Sequence, residues 1–418
     1  MVNKKALFII LDGLGDHVIK DLGNKTPLEA AEKPNIDKIA RYSDCGLVNI
    51  LSEGEIPGSD TGHLSLFGYD LSLYPGRGVL EALGSEIKLN LNLKIEEGDI
   101  AFRINFSTVL NNIVIDRRIG RNDYGLDIIL NDFRNKLEEL EREYNVKINI
   151  LHTVEHRGVL IIKGLEGYNV TSNDLHMDSY LIPKIMALDK KSEITAELLN
   201  KLIEEFNKFS NEHYVNKERK EKNLPLVNYL LLRGASIYKE LERDKKFEKK
   251  YGLKALFIAG GALYLGVARY FGMDVLKPIG ATATVETSLF SKAEAVLKNK
   301  DKYDIIFSHI KATDSLSHDK NPKEKKKFIE RIDRDFFAKV KEDFDVIILT
   351  GDHSTSSILG RHVSDPVPIM IYSDNNRWGL VKKFGERSCR KGSLGFLNGK
   401  NVMKIILDKL DKGIIVGE

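Results

Sequence analysis

The sequence predicts an α/β fold, and three observations carry that prediction. Short apolar runs bounded by turn residues recur along the chain, longer amphipathic Lys/Glu segments alternate with them, and the alternation changes texture in the middle. Runs rich in Ile, Val, Leu and Phe with no polar alternation suit strands buried on both faces, as in a parallel sheet covered by helices. The strand candidates are Ala6–Leu11, Gly46–Leu51, Ala255–Ala259, Asp304–Ile310, Asp345–Leu349 and Val367–Tyr372. The helix candidates are Asn35–Arg41, Leu126–Tyr144, Ile194–Asn211, Ala262–Phe271, Lys323–Glu342 and Asn401–Leu410, whose charges read as solvated faces. Between them, residues 89–249 lose the pattern of a strand ending in Asp or His and gain basic clusters. They read as an inserted α+β domain that interrupts a core made of 1–88 and 250–418. Asn211–Asn223 is the most linker-like stretch, and no internal repeat is visible.

Composition narrows the function. The chain of 418 residues carries 64 Lys+Arg against 61 Asp+Glu, a net charge of +3, and 42% of its residues are hydrophobic. Such a chain can bury a large core, and it lacks the basic surplus of a dedicated nucleic-acid or membrane-surface binder. Cys45 and Cys389 are too few for a disulfide framework or a thiolate zinc site, which fits a reducing cytosol. The apolar run Ala6–Leu11 stops at Asp12, too short to span a bilayer or to form a signal-peptide core. A cytoplasmic protein with no nucleic-acid or membrane partner is expected.

The chemistry concentrates at strand ends. Asp12 closes the first apolar run, Asp352-His353 follows Asp345–Leu349, and Asp314 with His318 follows Asp304–Ile310; His362 lies between these and the Val367–Tyr372 run. In open α/β sheets ligands bind beyond the carboxyl ends of the strands, so these side chains point to one crevice. Asp314 and His318, four residues apart, share one helical face. Gly13-Leu14-Gly15 could open a dinucleotide fingerprint, but Asp16-His17 stands where a third glycine should follow. Singly, each Asp reads as a helix cap and each His as a hydrogen-bonded group. Jointly they read as a metal centre, and a mixed Asp/His set suits Mn²⁺, Zn²⁺ or related ions better than Mg²⁺ or Ca²⁺. Ser59, in Pro57-Gly58-Ser59-Asp60-Thr61-Gly62-His63, offers a nucleophile at a helix start beside such a cation, where backbone N–H groups suit a phosphate; the alternative is that Ser59 only caps that helix. His63 reads as structural.

Leu11-Asp12-Gly13, the Pro57–His63 stretch, Lys311-Ala312-Thr313-Asp314 with His318, Thr350-Gly351-Asp352-His353-Ser354 and Gly360-Arg361-His362 together resemble the archaeal-type cofactor-independent phosphoglycerate mutases of the alkaline phosphatase superfamily. The resemblance spans nearly the whole chain, in order. It implies an alkaline-phosphatase-like core, two divalent ions (Mn²⁺ foremost, with Mg²⁺, Zn²⁺ or Co²⁺ as alternatives) and no 2,3-bisphosphoglycerate. Asp12, Ser59, Asp352 and His353 would match the ligands of one metal, and Asp314, His318 and His362 those of the other. Ser59 would take the phosphoryl group from 3-phosphoglycerate and return it to the other hydroxyl of the glycerate, in glycolysis and gluconeogenesis. Lys311 would balance charge on the transferring group.

The insertion would then hold the small-molecule phosphoglycerate and exclude water, which would otherwise hydrolyse the phosphoserine. Arginine forks match carboxylate and phosphate alike, and Arg118, Arg121, Arg157 and Arg233 are the preferred clamps, with His152 and His156 beside them. Asp116 or His156 could move the hydroxyl proton. A monomer or small homo-oligomer is expected. Two other readings compete: a metal-dependent phosphohydrolase or other phosphomutase using the same Ser59, and a catalytically silent phosphate sensor, which would have lost a ligand or the nucleophile.

Overall fold

The structure is a computed structural model and describes residues 4–89, 94–377, 381–413 and 415. Two compact units emerge, Met1–Tyr74 with Leu241–Glu418, and Pro75–Glu240. The second starts and ends earlier than 89–249 because the helix Arg77–Leu89 packs on the second unit's own sheet. Its Val79 N–H donates to Ser236 Oγ at 2.9 Å, and Gly78 lies so close to Ala101 that a Cβ would stand 2.1 Å from the Ala101 carbonyl oxygen.

The first unit is built on an eight-stranded sheet ordered Gly395–Asn398, Ser43–Asn49, Val367–Tyr372, Val346–Thr350, Ala6–Leu11, Ile305–Ile310, Ala255–Ile258, Asp274–Leu276. Ala6–Leu11 is central and wholly buried, as a run without polar alternation requires. The sheet is mainly parallel, as expected, but Val367–Tyr372 runs antiparallel to both its neighbours. The edge strands Asp274–Leu276 and Gly395–Asn398 are short and mixed in polarity, and give no comparable signal in the sequence. The expected strand Gly46–Leu51 is Ser43–Asn49, shifted toward the N-terminus. The expected helix Lys323–Glu342 is Pro322–Ile332 followed by a wide turn Asp333–Phe337 and a short helix Ala338–Val340. The wide turn buries Asp333, whose carboxylate accepts the Ile36 N–H at 2.7 Å and the Asn35 side-chain amide at 2.9 Å.

The second unit is an antiparallel five-stranded sheet ordered Ile113–Asp116, Ile100–Leu110, Arg157–Lys163, Lys147–Val154, with Tyr229–Ile237 also paired to Ile100–Leu110. Period-two alternation along Ile100–Leu110 sends Ile100, Phe102, Ile104 and Phe106 into a core shared with Phe133, Leu137, Leu199 and Phe206. Arg103 and Asn105 fall on the opposite face. The helix expected over Leu126–Tyr144 is two, Leu126–Asp132 and Arg134–Tyr144. The linker-like stretch Asn211–Asn223 is largely helical: Tyr214–Glu221 buries Arg219, which donates to the carbonyls of Pro225 (2.7 Å), Tyr124 (2.7 Å) and Asn122 (3.0 Å). Charge density alone hides this, because a guanidinium that satisfies several carbonyls can be buried.

Candidate metal centre and arginine cluster

Three adjacent parallel strands set the first site. Leu11 lies opposite Ile310, and Ile10 opposite Thr350, so Asp12, Lys311 and Gly351-Asp352 leave the same edge of the sheet together. Asp314 follows on the helix Ala312–His318. The turn after Asp12 needs glycine: Gly13 has φ +61°, and a Cβ there would stand 2.5 Å from Thr355 Oγ1 and 2.9 Å from Asp314 Cβ.

Ser59 opens the helix Ser59–Leu66, but it is not the cap. Gly58 occupies that position, and Thr61 Oγ1 accepts the Gly58 N–H at 3.0 Å. Ser59 Oγ instead lies 3.2 Å from His353 Nε2. Gly62 lets this helix approach the Asp352 backbone, where a Cβ would stand 2.3 Å from the carbonyl oxygen.

The histidines reveal their protonation through their partners. His318 Nδ1 lies 2.8 Å from the Gly360 carbonyl and His362 Nδ1 2.9 Å from the Pro57 carbonyl. Carbonyls only accept, so each Nδ1 carries a proton, and Nε2 is the ring atom left to face Asp314. These Nε2 atoms lie 3.3 Å (His318) and 3.5 Å (His362) from Asp314 Oδ1. His353 Nε2 lies 3.2 Å from Asp12 Oδ1 and 3.6 Å from Asp352 Oδ2. Asp12 Oδ1 and Asp352 Oδ2 are buried with no hydrogen-bond donor among the described residues. Lone pairs converging on lone pairs is the donor arrangement of a cation site. Among the described residues three groups have ligand atoms close enough to share one ion: Asp12, Asp352 and His353; Asp314, His353 and His362; and His63, His309 and Asp352.

The electrostatics agree. Burial pushes the Asp12 and Asp314 carboxyls up, yet the Lys311 ammonium, 3.3 Å and 2.6 Å away, together with the neighbouring histidines, holds both well below the usual range. For Asp352 burial and then the Asp12 charge outweigh the Gly13 N–H and the Lys311 charge, and push it well above the usual range. Three buried carboxylates against one ammonium leave an acidic excess that a divalent cation would balance.

Sequence reasoning misses three residues of this site. His309 is buried with Nε2 3.1 Å from Asp12 Oδ2, and burial holds its ring down to about 3. The available signal is a histidine inside an apolar strand, two residues before Lys311. His63, read as structural, donates Nδ1–H to the Ser59 carbonyl at 2.6 Å and lies 3.4 Å from Asp352 Oδ2. Thr355 contacts His353 and Asp314, and no spacing rule marks it.

The second unit carries the opposite charge. Arg103 and Arg233 are directly paired across strands, as are Asn105 and Arg157. Arg103 Nη1 donates to Glu81 at 3.0 Å, and Arg117 grips Asp174 through two bonds of 2.5 and 2.8 Å. Arg233 lies 3.4 Å from Asp174 and donates to His176 Nε2 at 2.7 Å. Burial, then Arg157, Arg103, Arg118 and Arg117, pushes the His156 ring down to about 2, so His156 is neutral. His156 Nδ1, Arg157 Nε and Asn105 Oδ1 are buried without a hydrogen-bond partner among the described residues. Of the expected clamps, Arg157 and Arg118 thus act on the buried His156, while Arg233 joins the cluster through Arg103 and Asp174. Arg118 feels the charge of Arg117, Arg121 and Arg157 but, like Arg121, is exposed. His152 is engaged by Asp127 (2.9 Å) and the Glu155 carbonyl (2.9 Å). Asp116 accepts the N–H groups of Arg118 and Gly120, both at 2.7 Å, and so shapes their turn.

Strand-end carboxylates, convergent imidazoles and a helix-start serine define a divalent-metal enzyme class. A family model described as the Metalloenzyme superfamily matches residues 4–409. The chain is 38% identical over 419 residues to a 2,3-bisphosphoglycerate-independent phosphoglycerate mutase of Pyrococcus abyssi, covering 98% of each. It is 38% identical over 423 residues to the mutase 1 of that name from Methanocaldococcus jannaschii, again covering 98% of each. The solved cofactor-independent phosphoglycerate mutase of Thermoplasma acidophilum matches with TM-score 0.65 and 32% identity, over 97% of this chain and 99% of that one. The chain therefore belongs to the metalloenzyme superfamily and, within it, to the archaeal-type 2,3-bisphosphoglycerate-independent phosphoglycerate mutases. Among the described residues, no helix is long and apolar enough to cross a membrane.

Proposed function

We propose that the chain interconverts 3-phosphoglycerate and 2-phosphoglycerate through a phosphoserine on Ser59. The observation that carries this reading is the Ser59 hydroxyl 3.2 Å from His353 Nε2, at the edge of a buried acidic cluster. Asp12, Ser59, Asp352 and His353 would hold one divalent ion and Asp314, His318 and His362 a second, with Mn²⁺ the best suited to this mixed set. When bound, such ions lower the pKa of the serine hydroxyl and offset the charge of an in-line phosphoryl transfer.

The residues supply the rest. Gly58 and Thr61 cap the helix so that Ser59 is free to act as nucleophile, and the N–H groups of that helix start suit an incoming phosphate. Ser59 Oγ gives up its proton and bonds to phosphorus as the bond to the C3 oxygen of the substrate breaks, and that oxygen takes up a proton. The C2 hydroxyl then loses its proton, takes the phosphoryl group and restores the serine. Lys311, buried between Asp12 and Asp314, adds a fixed positive charge beside the transferring group. Arg157 and Arg233, with Arg118, Arg121, His152 and His156 near them in sequence or in space, would recognise the carboxylate and phosphate of the acid. Such a reaction belongs to glycolysis and gluconeogenesis in the cytoplasm.

Incubating the Mn²⁺-loaded protein with 3-phosphoglycerate and measuring 2-phosphoglycerate against inorganic phosphate tests this. Product without phosphate release is expected. Stoichiometric phosphate release would make the protein a phosphohydrolase instead.

A further inference from the structure

Besides Lys311, a second side chain touches both proposed ligand sets. Thr355 is buried on the short strand Ser354–Ser356, two residues after His353, and stands directly opposite His362 on the antiparallel strand Arg361–Val363. Its Oγ1 lies 2.8 Å from Asp314 Oδ1 and 3.0 Å from His353 Nδ1. A threonine hydroxyl has one hydrogen and an ionised carboxylate has none, so the hydrogen goes to Asp314. Toward His353 the hydroxyl can then only accept, which places the ring proton on Nδ1. The resulting chain runs one way: His353 Nδ1–H to Thr355 Oγ1, and Thr355 O–H to Asp314 Oδ1. His353 belongs to one proposed set and Asp314 to the other.

The surroundings hold this bridge in place. Gly13, in its left-handed conformation, makes room for the hydroxyl, since a Cβ there would stand 2.5 Å from Oγ1. Lys325, itself buried, donates to the Gly13 carbonyl at 2.9 Å and to Asp16 at 3.0 Å, and lies 3.4 Å from the Thr355 carbonyl. Ser357 N–H also donates to Asp16 at 2.8 Å. The turn after Asp12 and the Thr355 segment are therefore tied to the same ammonium and carboxylate.

We propose that Thr355 is a positioning residue that couples the two metal sites, an inference that rests on the two-metal reading above. Its hydroxyl fixes the His353 tautomer, leaving Nε2 as the donor atom for one ion, and it orients the Asp314 carboxylate for the other. A charge held at His353 Nε2 makes Nδ1–H a stronger donor, and in a hydrogen-bond chain that strengthens the next bond, to Asp314. A stronger bond draws charge off the Asp314 oxygen, so filling one site weakens the other through this chain, and by linkage the effect is reciprocal.

The test is a calorimetric Mn²⁺ titration of the metal-free full chain, in wild type, Thr355→Val and Thr355→Ser. Wild type is expected to take up two ions, with the first weakening the second. Thr355→Val should weaken both sites by about 10- to 100-fold, the usual effect of removing a group behind a metal ligand, and reduce the coupling, while Thr355→Ser retains both the affinities and the coupling. Wild-type affinities in Thr355→Val, or equal damage in Thr355→Ser, would overturn the proposal while leaving the two-metal reading intact. Uptake of fewer than two ions by wild type would instead sink that reading, and the coupling with it. Should Thr355→Val not fold, Thr355→Ala takes its place in the same titration. Independently of metal, long-range ¹H–¹⁵N correlation should find the His353 proton on Nδ1 in the metal-free wild type; a proton on Nε2 contradicts the bridge.

Discussion

The two units bury charge of opposite sign, and each does so in excess. In the first, Asp12, Asp314 and Asp352 face one ammonium, Lys311; in the second, Arg103, Arg117, Arg157 and Arg233 surround Glu81 and Asp174. The excess is visible in what it does to neighbours. Burial and the Asp12 charge drive Asp352 upward, while burial and four arginines drive His156 down to about 2. Buried like charges are costly unless a counter-ion of the other sign joins them, so under the proposed function the first cluster would take cations and the second an anion. The difference teaches that one chain can bury charge of both signs by keeping them in separate units.

That contrast can be broken by substitution. The largest effect is expected from Ser59→Ala, which should lower mutase turnover by about four orders of magnitude or more, with Mn²⁺ uptake retained through the carboxylates and imidazoles. Turnover near wild type in that variant would remove the nucleophile from the mechanism. Asp314→Asn takes away the carboxylate on which His318 and His362 converge, and its Mn²⁺ affinity should fall by at least about a hundredfold in calorimetry. Lys311→Met should reduce kcat by about a hundred- to a thousandfold, the scale of losing one preorganised charge at a reacting group.

Variants of the second unit should separate from these. Arg157→Met is expected to raise KM by about 10- to 100-fold, the loss of one charge-assisted hydrogen bond, without altering the metal titration. A change in Mn²⁺ affinity there would merge the two clusters into one function.

The smallest effect concerns pH. His156 titrates near 6.5 when unfolded and near 2 when folded, so below 6.5 the unfolded chain binds a proton that the native one does not. Its contribution is fully present above the unfolded pKa and is lost as pH falls. Between pH 6.5 and 5.5 the loss approaches about 1.4 kcal/mol per pH unit, and His156→Gln should flatten that part of a denaturation profile. An unchanged slope would show that the arginines do not act on His156 as described.

Much of the candidate site is legible in the sequence. Asp12, Asp314, Asp352 and His353 announce themselves because each ends or follows an apolar strand, and period and polarity are properties of neighbouring residues. His309 and Thr355 do not, since a histidine within a strand and a threonine two residues after His353 acquire meaning only through what faces them. The arginines show the same divide. Arg157 and Arg233 stand out beside Gly and His, whereas Arg103 lies in an alternating strand whose polar face happens to be covered, so its partnership with Glu81 leaves no local trace. Arg219, within a stretch that reads as a linker, is buried because distant carbonyls of the Ile119–Pro225 region converge on it.

By itself, then, the sequence determined the α/β class, the central strand Ala6–Leu11, the strand-end carboxylates and imidazoles and the helix-start serine, because local periodicity and turn chemistry carry that information. The tertiary structure alone decided the antiparallel strand Val367–Tyr372, the helix at Arg77–Leu89 as part of the second unit, the carbonyl contacts of His318 and His362 and the contacts of Thr355 with Asp314 and His353. Each of these depends on contacts between residues far apart in the chain, whose pairing no local pattern encodes.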